Sequence, residues 1–263
     1  MDEDERLRRG ASFGAVAHAY AEHRPDYPET AVRWCLAPAR PRPGADLSGM
    51  RVLDLGAGTG KLTALLAQLG AEVTAVEPDP EMLAELRRQL PGIRTLSGSA
   101  EAIPLPDGSL AAVVCGQAMH WFRMDRALPE IARVLVPGGV LAGLWNSDDD
   151  RLEWVAGLQT VAKGAASPSL STRRAEAADY DVAQFAPDLF TPVERAEFPN
   201  GQRRTAESLV ATIATHSRLL VMPPAERDEL LAAVSAYLAG RPETSDGEFT
   251  LPMITSVLRL VRR

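Results

Sequence analysis

A glycine-rich turn between two strand-like segments is the feature of this sequence best suited to chemistry. Gly56, Gly58 and Gly60 follow the segment 51–55, and Glu77 ends the next apolar segment. Glycine has no Cβ, so a ligand can lie almost against the backbone of such a turn. A carboxylate at the end of the second strand is suited to accept hydrogen bonds from both hydroxyls of a ribose. The pattern therefore predicts a site for an adenosine-containing cofactor.

The spacing of the glycines separates three classes of nucleotide-binding turn. A nicotinamide fingerprint needs a small residue at the sixth position, where this chain has Lys61. A phosphate-binding P-loop needs glycine where Leu55 stands, and serine or threonine where Leu62 stands. What remains is the pattern Asp-x-Gly-x-Gly-x-Gly, which begins at Asp54. Its acid favours a ligand with a cationic amino group over one with a pyrophosphate.

Three further motifs accompany the turn in a defined order. Residues 13–28 follow the pattern Phe-Gly-x-x-Ala-x-x-Tyr-x-x-x-Arg-Pro-x-Tyr-Pro. Residues 98–109 read Gly-Ser-Ala-Glu-Ala-Ile-Pro-Leu-Pro-Asp-Gly-Ser and lead to Gln-Ala-Met-His-Trp-Phe at 117–122, and residues 133–141 contain Val-Pro-Gly-Gly. With the turn, these motifs resemble the class I S-adenosylmethionine-dependent methyltransferases, in the small-molecule branch that contains the ubiquinone/menaquinone and trans-aconitate types. The resemblance extends from about residue 13 to the C-terminus.

This resemblance implies S-adenosylmethionine as the methyl donor and S-adenosylhomocysteine as the product. It assigns Asp54 and the glycine turn to the methionine portion and Glu77 to the ribose, with Pro78 and Met82 on the adenine side. Residues 99–101 close over the adenine. The predicted donor-binding residues are Tyr20, Arg24, Asp54, Gly56, Ala57, Gly58, Gly60, Glu77, Pro78, Met82, Ser99, Ala100, Glu101 and Gln117.

Some of these assignments have a second interpretation. Glu101 is either an adenine contact or a solvated loop acid. Tyr20 and Arg24 either close over the sulfonium side and meet the donor carboxylate, or pack as part of a helix. Gln117 follows the fourth predicted strand and is expected beside the methionine through its backbone, because open α/β sheets bind ligands at the carboxyl ends of their strands.

The segment His120-Trp121-Phe122 is expected to face the reaction centre. In one interpretation His120 is a general base or an orienting hydrogen-bond group, and Trp121 forms an apolar wall. In the other, His120 caps the next helix and Trp121 fills the core. Trp145 and Asn146, at the end of the fifth predicted strand, complete the predicted acceptor-binding set with Trp121.

Three consecutive acids follow that strand at positions 148–150. Such a run of acids could be a metal site, but their side chains diverge because they are adjacent in the chain. The acids equally suit the N-terminus of the following helix. No Cys/His spacing suggests zinc. The sequence predicts no metal.

The expected reaction is methyl transfer to a small organic acceptor. An in-line displacement from a sulfonium has a neutral leaving group, so the enzyme mainly has to orient donor and acceptor and exclude water. No Asn/Asp-Pro-Pro-Tyr/Phe follows the fourth strand, and no Pro-Cys pair suits cytosine methylation. O-, N- and C-methylation stay open. The alternatives are a donor-binding fold with a non-methylating, cyclase-like activity, and a non-catalytic regulatory module.

Composition narrows the partners and the compartment. The net charge of -7 argues against nucleic acid, because neutralising phosphates needs a basic face. Cys35 and Cys115 stand in a predicted helix and a predicted buried strand, so we expect a reducing, cytoplasmic compartment. No membrane-spanning run and no signal sequence are recognisable. The expected assembly is a monomer or a homodimer.

The alternation of strands and helices predicts an α/β fold with a Rossmann-like, seven-stranded, mostly parallel sheet and helices on both faces. The family resemblance implies a helical insertion between the fifth and sixth strands, which would cover the acceptor pocket. The predicted parts are an N-terminal cap (1–50), a cofactor-binding core (51–146), the insertion (147–202) and a C-terminal completion of the sheet (203–263). Strands are predicted at 51–55, 72–77, 93–97, 110–116, 140–145, 193–198 and 249–261, and helices at 28–36, 61–69, 80–90, 126–135, 152–166, 174–186, 205–220 and 224–238. The residues Pro137-Gly138-Gly139 are predicted to end the helix before them and to turn the chain into the fifth strand.

Overall fold

The computed structural model describes residues 25–39, 46–162, 169–172, 185–214, 216, 219 and 221–263. The predicted donor contacts Tyr20 and Arg24 lie outside these described residues, as does most of the helix predicted at 174–186.

Seven strands form one sheet in the order β3-β2-β1-β4-β5-β7-β6. Adjacent pairs from β3 to β5 are parallel, with Val52 of β1 opposite Val73 of β2 and Ala112 of β4. The predicted mostly parallel, Rossmann-like sheet is confirmed. The strands are β1 (Arg51–Leu55), β2 (Glu72–Glu77), β3 (Arg94–Ser97), β4 (Leu110–Gly116), β5 (Leu135–Asp148), β6 (Glu194–Arg204) and β7 (Phe249–Val261).

Helices follow the parallel strands, as an α/β fold requires. Gly60 precedes α2 with a φ of +92°. Asp79 caps α3, since its side chain accepts hydrogen bonds from the amides of Glu81 and Met82, and Pro80 fills the first helical position. The described helices are α1 (Glu29–Leu36), α2 (Lys61–Gln68), α3 (Pro80–Gln89), α4 (Met124–Val134), α5 (Glu153–Val161), α6 (Ala206–Ala214) and α7 (Pro224–Ala239).

The fifth and sixth strands differ from the prediction. The sequence predicted a turn at Pro137-Gly138-Gly139 before a strand at 140, but β5 begins directly after α4, at Leu135. Its register with β4 shifts between Leu110 and Ala112, and the Gly138 amide donates to the Arg262 carbonyl at 3.0 Å. A bulge thus keeps the proline and glycines in the sheet. Similarly, β6 continues beyond the predicted strand end at residue 198 and reaches Arg204.

The chain divides into two compact units. Within the described residues, the sheet unit consists of residues 27–39, 46–145, 185–198 and 255–263. Successive strand residues enter opposite cores: Val52 and Val114 join one apolar cluster, whereas Leu53 and Val113 join the other. Both faces of the parallel strands are therefore buried.

The second unit, the helical unit, has its own apolar core. Trp154 of α5, Ile213 of α6 and Val234 of α7 are buried in one cluster with Leu251 and Met253 of β7. The Tyr237 hydroxyl donates to the Trp154 carbonyl at 2.8 Å and joins α7 to α5. This cluster combines helices from before and after β6, whereas the sequence assigned only residues 147–202 to a helical insertion.

Replacing Gly60 by alanine should lower the free energy of unfolding more than the same change at Gly138. Both residues have a positive φ, which costs alanine about 1–2 kcal/mol. A Cβ at Gly60 would also lie 3.0 Å from the side chains of Leu86 and Leu90, whereas one at Gly138 meets nothing within 4 Å. The added crowding should cost about 1–3 kcal/mol more. Urea unfolding of both variants measures the difference, and equal losses would contradict it.

Candidate active site

The turn after β1 is fastened to the neighbouring strand by its backbone. The amides of Gly56 and Ala57 both donate to the Val76 carbonyl of β2, at 2.9 and 3.1 Å. Gly56 has a φ of +72°, and a Cβ there would lie 2.7 Å from the Cβ of Ala118. Only glycine allows this close approach between the turn and the segment after β4.

Gly58, at the tip of the turn, has a different environment. Its φ is +56°, and a Cβ at this position would meet nothing within 4 Å. Its amide donates to Glu77 Oε2 at 2.8 Å. The turn thus places open space next to a buried carboxylate, the arrangement that the sequence predicted for a ribose site.

Glu77 is held from both sides at the carboxyl end of β2. Its other oxygen, Oε1, accepts from the Asp79 amide at 2.9 Å. Burial raises the pKa of the Glu77 carboxyl, although the amides of Asp79 and Gly58 oppose the shift. Each oxygen accepts one of these two bonds and can accept another, so two hydroxyl donors can be received at once.

Asp54 is buried beneath the turn, with 1% of its surface exposed. Its Oδ2 accepts from the Thr63 hydroxyl of α2 at 2.6 Å, and its Oδ1 is buried without a hydrogen-bond partner among the described residues. Burial raises the pKa of Asp54 to about 7; the Thr63 hydrogen bond opposes this, and the Glu77 charge adds to it. An unpaired carboxylate oxygen suits a cationic amino group, as the sequence predicted.

The predicted adenine side contains buried and exposed residues. Pro78 is exposed, while Met82 and Ala100 are buried. Ser99 begins a tight turn in which its carbonyl accepts from the Ala102 amide at 3.2 Å. This turn holds the Ala100 amide in a fixed place after β3.

Glu101 joins that turn to α4. Its Oε1 accepts from the Arg123 amide, at the N-cap of α4, at 2.8 Å. The interpretation as a solvated loop acid is therefore wrong. A carboxylate at a helix N-terminus satisfies an amide that the helix leaves open. Contact of Glu101 with adenine stays a prediction.

Gln117 has a strained backbone. Its φ of +55° makes it the one non-glycine residue with a positive φ in the described part of the chain. Its amide donates to the Leu144 carbonyl of β5 at 2.9 Å, directly after β4 ends. Strain of this kind costs about 1–3 kcal/mol and collects at functional sites. The observation supports the predicted place of Gln117 at the ligand-binding edge.

His120 lies on a 3₁₀ turn, Met119–Trp121, and its side chain is exposed. Its ring centroid lies 4.9 Å from that of Trp121, which is half-buried. Arg123, not His120, is the N-cap residue of the next helix, and the side chain of Arg123 makes no capping hydrogen bond. Whether His120 is a base stays a prediction.

Trp145 is at the end of the sheet unit's part of β5. Its side chain is 9% exposed, and its indole Nε1 is buried without a hydrogen-bond partner among the described residues. A Cβ at Gly143 would lie 2.5 Å from its ring, so that glycine makes room for it. Buried indole N–H groups normally have a partner, which makes this donor available to a ligand.

Asn146, in the helical unit, bonds to protein groups. Its Nδ2 donates to the Asp26 carbonyl at 3.1 Å, and its Oδ1 accepts from Asn200 Nδ2 at 3.2 Å. Asn200 Nδ2 also donates to the Asp26 carbonyl, at 2.9 Å. These bonds hold the backbone at Asp26. A contact between Asn146 and an acceptor stays a prediction.

The acids at 148–150 have separate partners. Asp148 accepts from Gln159, Asp149 pairs with Arg151 at 2.6 Å, and Asp150 accepts from the Ser171 amide. The following helix has Leu152 as its N-cap, without a side-chain cap, so the expected capping role is wrong. In the described residues, no three Cys, His, Asp or Glu side chains are grouped to hold a metal ion.

Two contacts of the site were not predicted. Thr63, nine residues after Asp54, donates its hydroxyl to that carboxyl group at 2.6 Å. Tyr27, noted only as part of the entry motif, has its hydroxyl 2.6 Å from where a Cβ of Gly116 would lie, at the end of β4. In the sequence, Tyr27 stands in the entry motif and Gly116 ends the fourth predicted strand. Only the fold brings these two residues together.

Comparison with known proteins decides the family. A family model described as a methyltransferase domain matches residues 53–143. An uncharacterised methyltransferase of Mycobacterium tuberculosis is 39% identical over 249 residues, which cover 94% of each chain. The chain belongs to the class I S-adenosylmethionine-dependent methyltransferase family. The family predicted from the four motifs is confirmed.

Two further proteins are similar to this methyltransferase. A demethylmenaquinone methyltransferase of Chlorobaculum tepidum is 41% identical over 91 residues, or 34% of this chain and 38% of that one. The structure of a candidate type II methyltransferase from Anaeromyxobacter dehalogenans has a TM-score of 0.57 at 23% identity, covering 91% of this chain and 96% of that one. At this identity the likeness shows the fold. In the described part of this methyltransferase, no helix has the length and apolar character needed to cross a bilayer.

The stability of this methyltransferase should fall as the pH rises towards 7 because of Asp54. Its pKa rises from 3.8 to about 7 on folding, so between these values the native state binds one more proton than the unfolded state. The resulting loss is at most about 1.4 kcal/mol per pH unit and ends above the folded pKa. Asp54→Asn should lack this slope, and urea unfolding of both proteins across this range measures it.

The exposed Asp188→Asn change is the matched control and should keep the wild-type slope. Parallel pH curves for wild type and Asp54→Asn would contradict the assignment of a raised pKa to Asp54.

Proposed function

We propose that this protein transfers the methyl group of S-adenosylmethionine to a small organic acceptor. The observation that carries the proposal is the group formed by Asp54, Gly58 and Glu77. It combines a buried carboxylate oxygen that has no hydrogen-bond partner among the described residues, open space beside a positive-φ glycine, and a carboxylate held by two amides. These three features match the amino group, the close approach and the ribose hydroxyls of the donor.

The residues at this site fit the cofactor. Asp54 Oδ1 would accept from the methionine ammonium group, and the two oxygens of Glu77 would accept from the ribose hydroxyls. Met82, Ser99 and Ala100 would line the adenine side. The bound cofactor supplies an electrophilic methyl group on a sulfonium, which is neutralised when the methyl leaves.

Asp54 gains most from a cationic partner. Its carboxyl group is buried, and its pKa of about 7 shows that the charged form is costly in the free protein. A nearby ammonium group favours the charged form. Donor binding would therefore remove the proton from Asp54 and offset the cost of burying its charge.

The protein's part in the reaction is orientation and the handling of a proton. Gln117 would hold the methionine side through its backbone, which the bond to Leu144 fixes. Trp121 and Trp145 would form apolar walls for the acceptor. The indole Nε1 of Trp145, which has no hydrogen-bond partner among the described residues, would donate to a polar atom of the acceptor. Holding reactants in line accelerates a displacement without any nucleophile from the protein.

His120 is the proposed acceptor-side base. It lies just after β4, beside Trp121, and its imidazole can take the proton of an acceptor that attacks the methyl group. Its exposure in the free protein leaves it able to exchange the proton with solvent. The named activity of the demethylmenaquinone relative supports a small-molecule acceptor, and O-, N- and C-methylation are equally open here.

Gly58→Leu should abolish binding of S-adenosylmethionine and S-adenosylhomocysteine. The added side chain would fill the open space beside Glu77, and affinity should fall by about a hundredfold or more, since a blocked close approach removes several contacts at once. Isothermal titration calorimetry with each compound measures the loss.

Gly108→Leu is the matched control. Gly108 has a φ of +55° and equally open surroundings, but it precedes β4, at the opposite edge of the parallel strands. It should bind both compounds like the wild type. Unchanged affinity of Gly58→Leu would show that the cofactor site is elsewhere. Failure of the wild type to bind either compound would favour the non-catalytic regulatory module.

His120→Ala should reduce turnover and leave donor affinity unchanged. Loss of a general base typically costs about a hundredfold or more. The acceptor for this assay comes from a screen of phenols, amines and carboxylic acids that reads S-adenosylhomocysteine release. The pH profile of the rate should also lose its limb near the pKa of histidine. An unchanged rate and profile would assign His120 a structural role, and a product that carries no methyl group would favour the cyclase-like alternative.

A further inference from the structure

The loop between β3 and β4 is held by the C-terminal half of α4. Glu130 and Arg133, one turn apart on this helix, form an ion pair in which Arg133 Nη2 lies 2.9 Å from Glu130 Oε2. The same Glu130 oxygen accepts from the Ile103 amide at 3.0 Å, and the same Arg133 nitrogen donates to the Ile103 carbonyl at 2.9 Å. The ion pair therefore binds both backbone groups of Ile103 in one closed ring of hydrogen bonds.

Further hydrogen bonds of Arg133 strengthen this contact. Its Nη1 donates to the Leu105 carbonyl at 2.9 Å, and its Nε donates to Glu130 Oε1 at 2.9 Å. The Arg133 hydrogen bond lowers the pKa of Glu130 against the effect of burial, so the pair is charged at neutral pH. Hydrogen bonds from charged groups are stronger than neutral ones. Arg133 also pairs with Asp107, but 79% of the Asp107 side chain is exposed, and such ion pairs contribute little.

The end of the loop that α4 holds packs against the beginning of the loop. A Cβ at Gly98 would lie 2.7 Å from the Cδ of Pro104, and the Ala102 amide donates to the Ser99 carbonyl at 3.2 Å. Close-packed groups transmit displacements to one another. Ala100, which lies between these contacts, therefore depends for its position on the segment that α4 holds.

The first turn of α4 holds the same loop at a second point. Glu101 Oε1 accepts from the Arg123 amide at 2.8 Å, and Arg123 is the N-cap residue of α4. The loop is thus bonded to both ends of one helix. A loop that is already ordered loses less conformational freedom when a ligand binds to it.

We propose that Glu130 and Arg133 are positioning residues for the donor, which hold the loop so that Ser99 and Ala100 are in place to receive its adenine. This inference rests on the proposed function and extends it to two side chains of α4. Neither side chain takes part in methyl transfer. Their effect is on the affinity for the donor and on the choice of its base.

Arg133→Ala should weaken the binding of S-adenosylhomocysteine about tenfold, because the loop must then be ordered by the ligand itself. The second ligand is S-inosylhomocysteine, whose hypoxanthine carries a proton on N1, where adenine has an accepting nitrogen. The wild type should prefer the adenosyl compound, and in Arg133→Ala the ratio of the two dissociation constants should move towards one. Isothermal titration calorimetry measures both constants. A general loss of folded protein would weaken both ligands equally and leave the ratio unchanged.

Two variants of Glu130 test the ring of hydrogen bonds. Glutamine keeps an oxygen for the Ile103 amide, so Glu130→Gln should stay within about threefold of the wild-type affinity. Glu130→Ala should lose as much affinity as Arg133→Ala. Because the two side chains act as one unit, the double alanine variant should lose less than the two single losses together.

Arg126→Ala is the matched control, since Arg126 is an exposed arginine of the same helix. It should bind both ligands like the wild type. If Arg133→Ala does not fold, Arg133→Lys serves instead. Lysine keeps the charge but lacks the planar fork that reaches two carbonyls and Glu130 together, so it should show the same changes with an affinity loss of about threefold.

Wild-type affinity in Arg133→Ala, or a lower affinity with an unchanged base preference, would overturn this inference and leave the proposed function standing. Equal affinity of the wild type for both ligands would show that the loop does not distinguish the bases, and this result would also overturn the inference. Failure of the wild type to bind S-adenosylhomocysteine would overturn the proposed function, and this inference with it.

Discussion

The two amide hydrogen bonds to the Glu77 carboxylate hold the glycine turn after β1 in its shape. One comes from Gly58 in the turn after β1, and the other from Asp79, whose side chain caps α3. The end of β2, the turn and the first turn of α3 therefore form one hydrogen-bonded unit. A site that is already formed loses less conformational freedom when its ligand binds. The parallel strands supply the scaffold, because they bring their carboxyl ends to the same edge of the sheet.

Buried carboxyl groups with one bonded and one unpaired oxygen occur in both units. Asp54 bonds to Thr63 in the sheet unit, and Asp148 bonds to Gln159 in the helical unit. Burial raises the pKa of both, to about 7 and about 8. Apolar side chains would stabilise these buried positions better than carboxyl groups do. Buried carboxyl groups with raised pKa values are therefore typical of sites that receive charge from a ligand.

The sequence predicted the ends of β1, β2, β4 and β7 to the residue, because turns bounded by glycine or proline interrupt strongly apolar runs. It was wrong where such residues lie inside a strand. Gly138 was predicted to lie in a turn and the sixth strand to end before Asn200, but both residues lie within strands, β5 and β6. A local signal cannot show that a distant strand, such as β7, supplies the hydrogen bonds that keep a bulge in the ladder.

The amino-acid sequence alone determined the family, the sheet and the turn that carries Gly58 and Glu77, since these depend on spacing over short segments. Tertiary structure decided which groups are buried and what they contact. It paired Glu101 with the N-terminus of α4, brought Tyr27 to Gly116 and buried Asp148 Oδ1 without a hydrogen-bond partner among the described residues. Burial and pairing depend on residues that are far apart in the chain, so no local pattern specifies them.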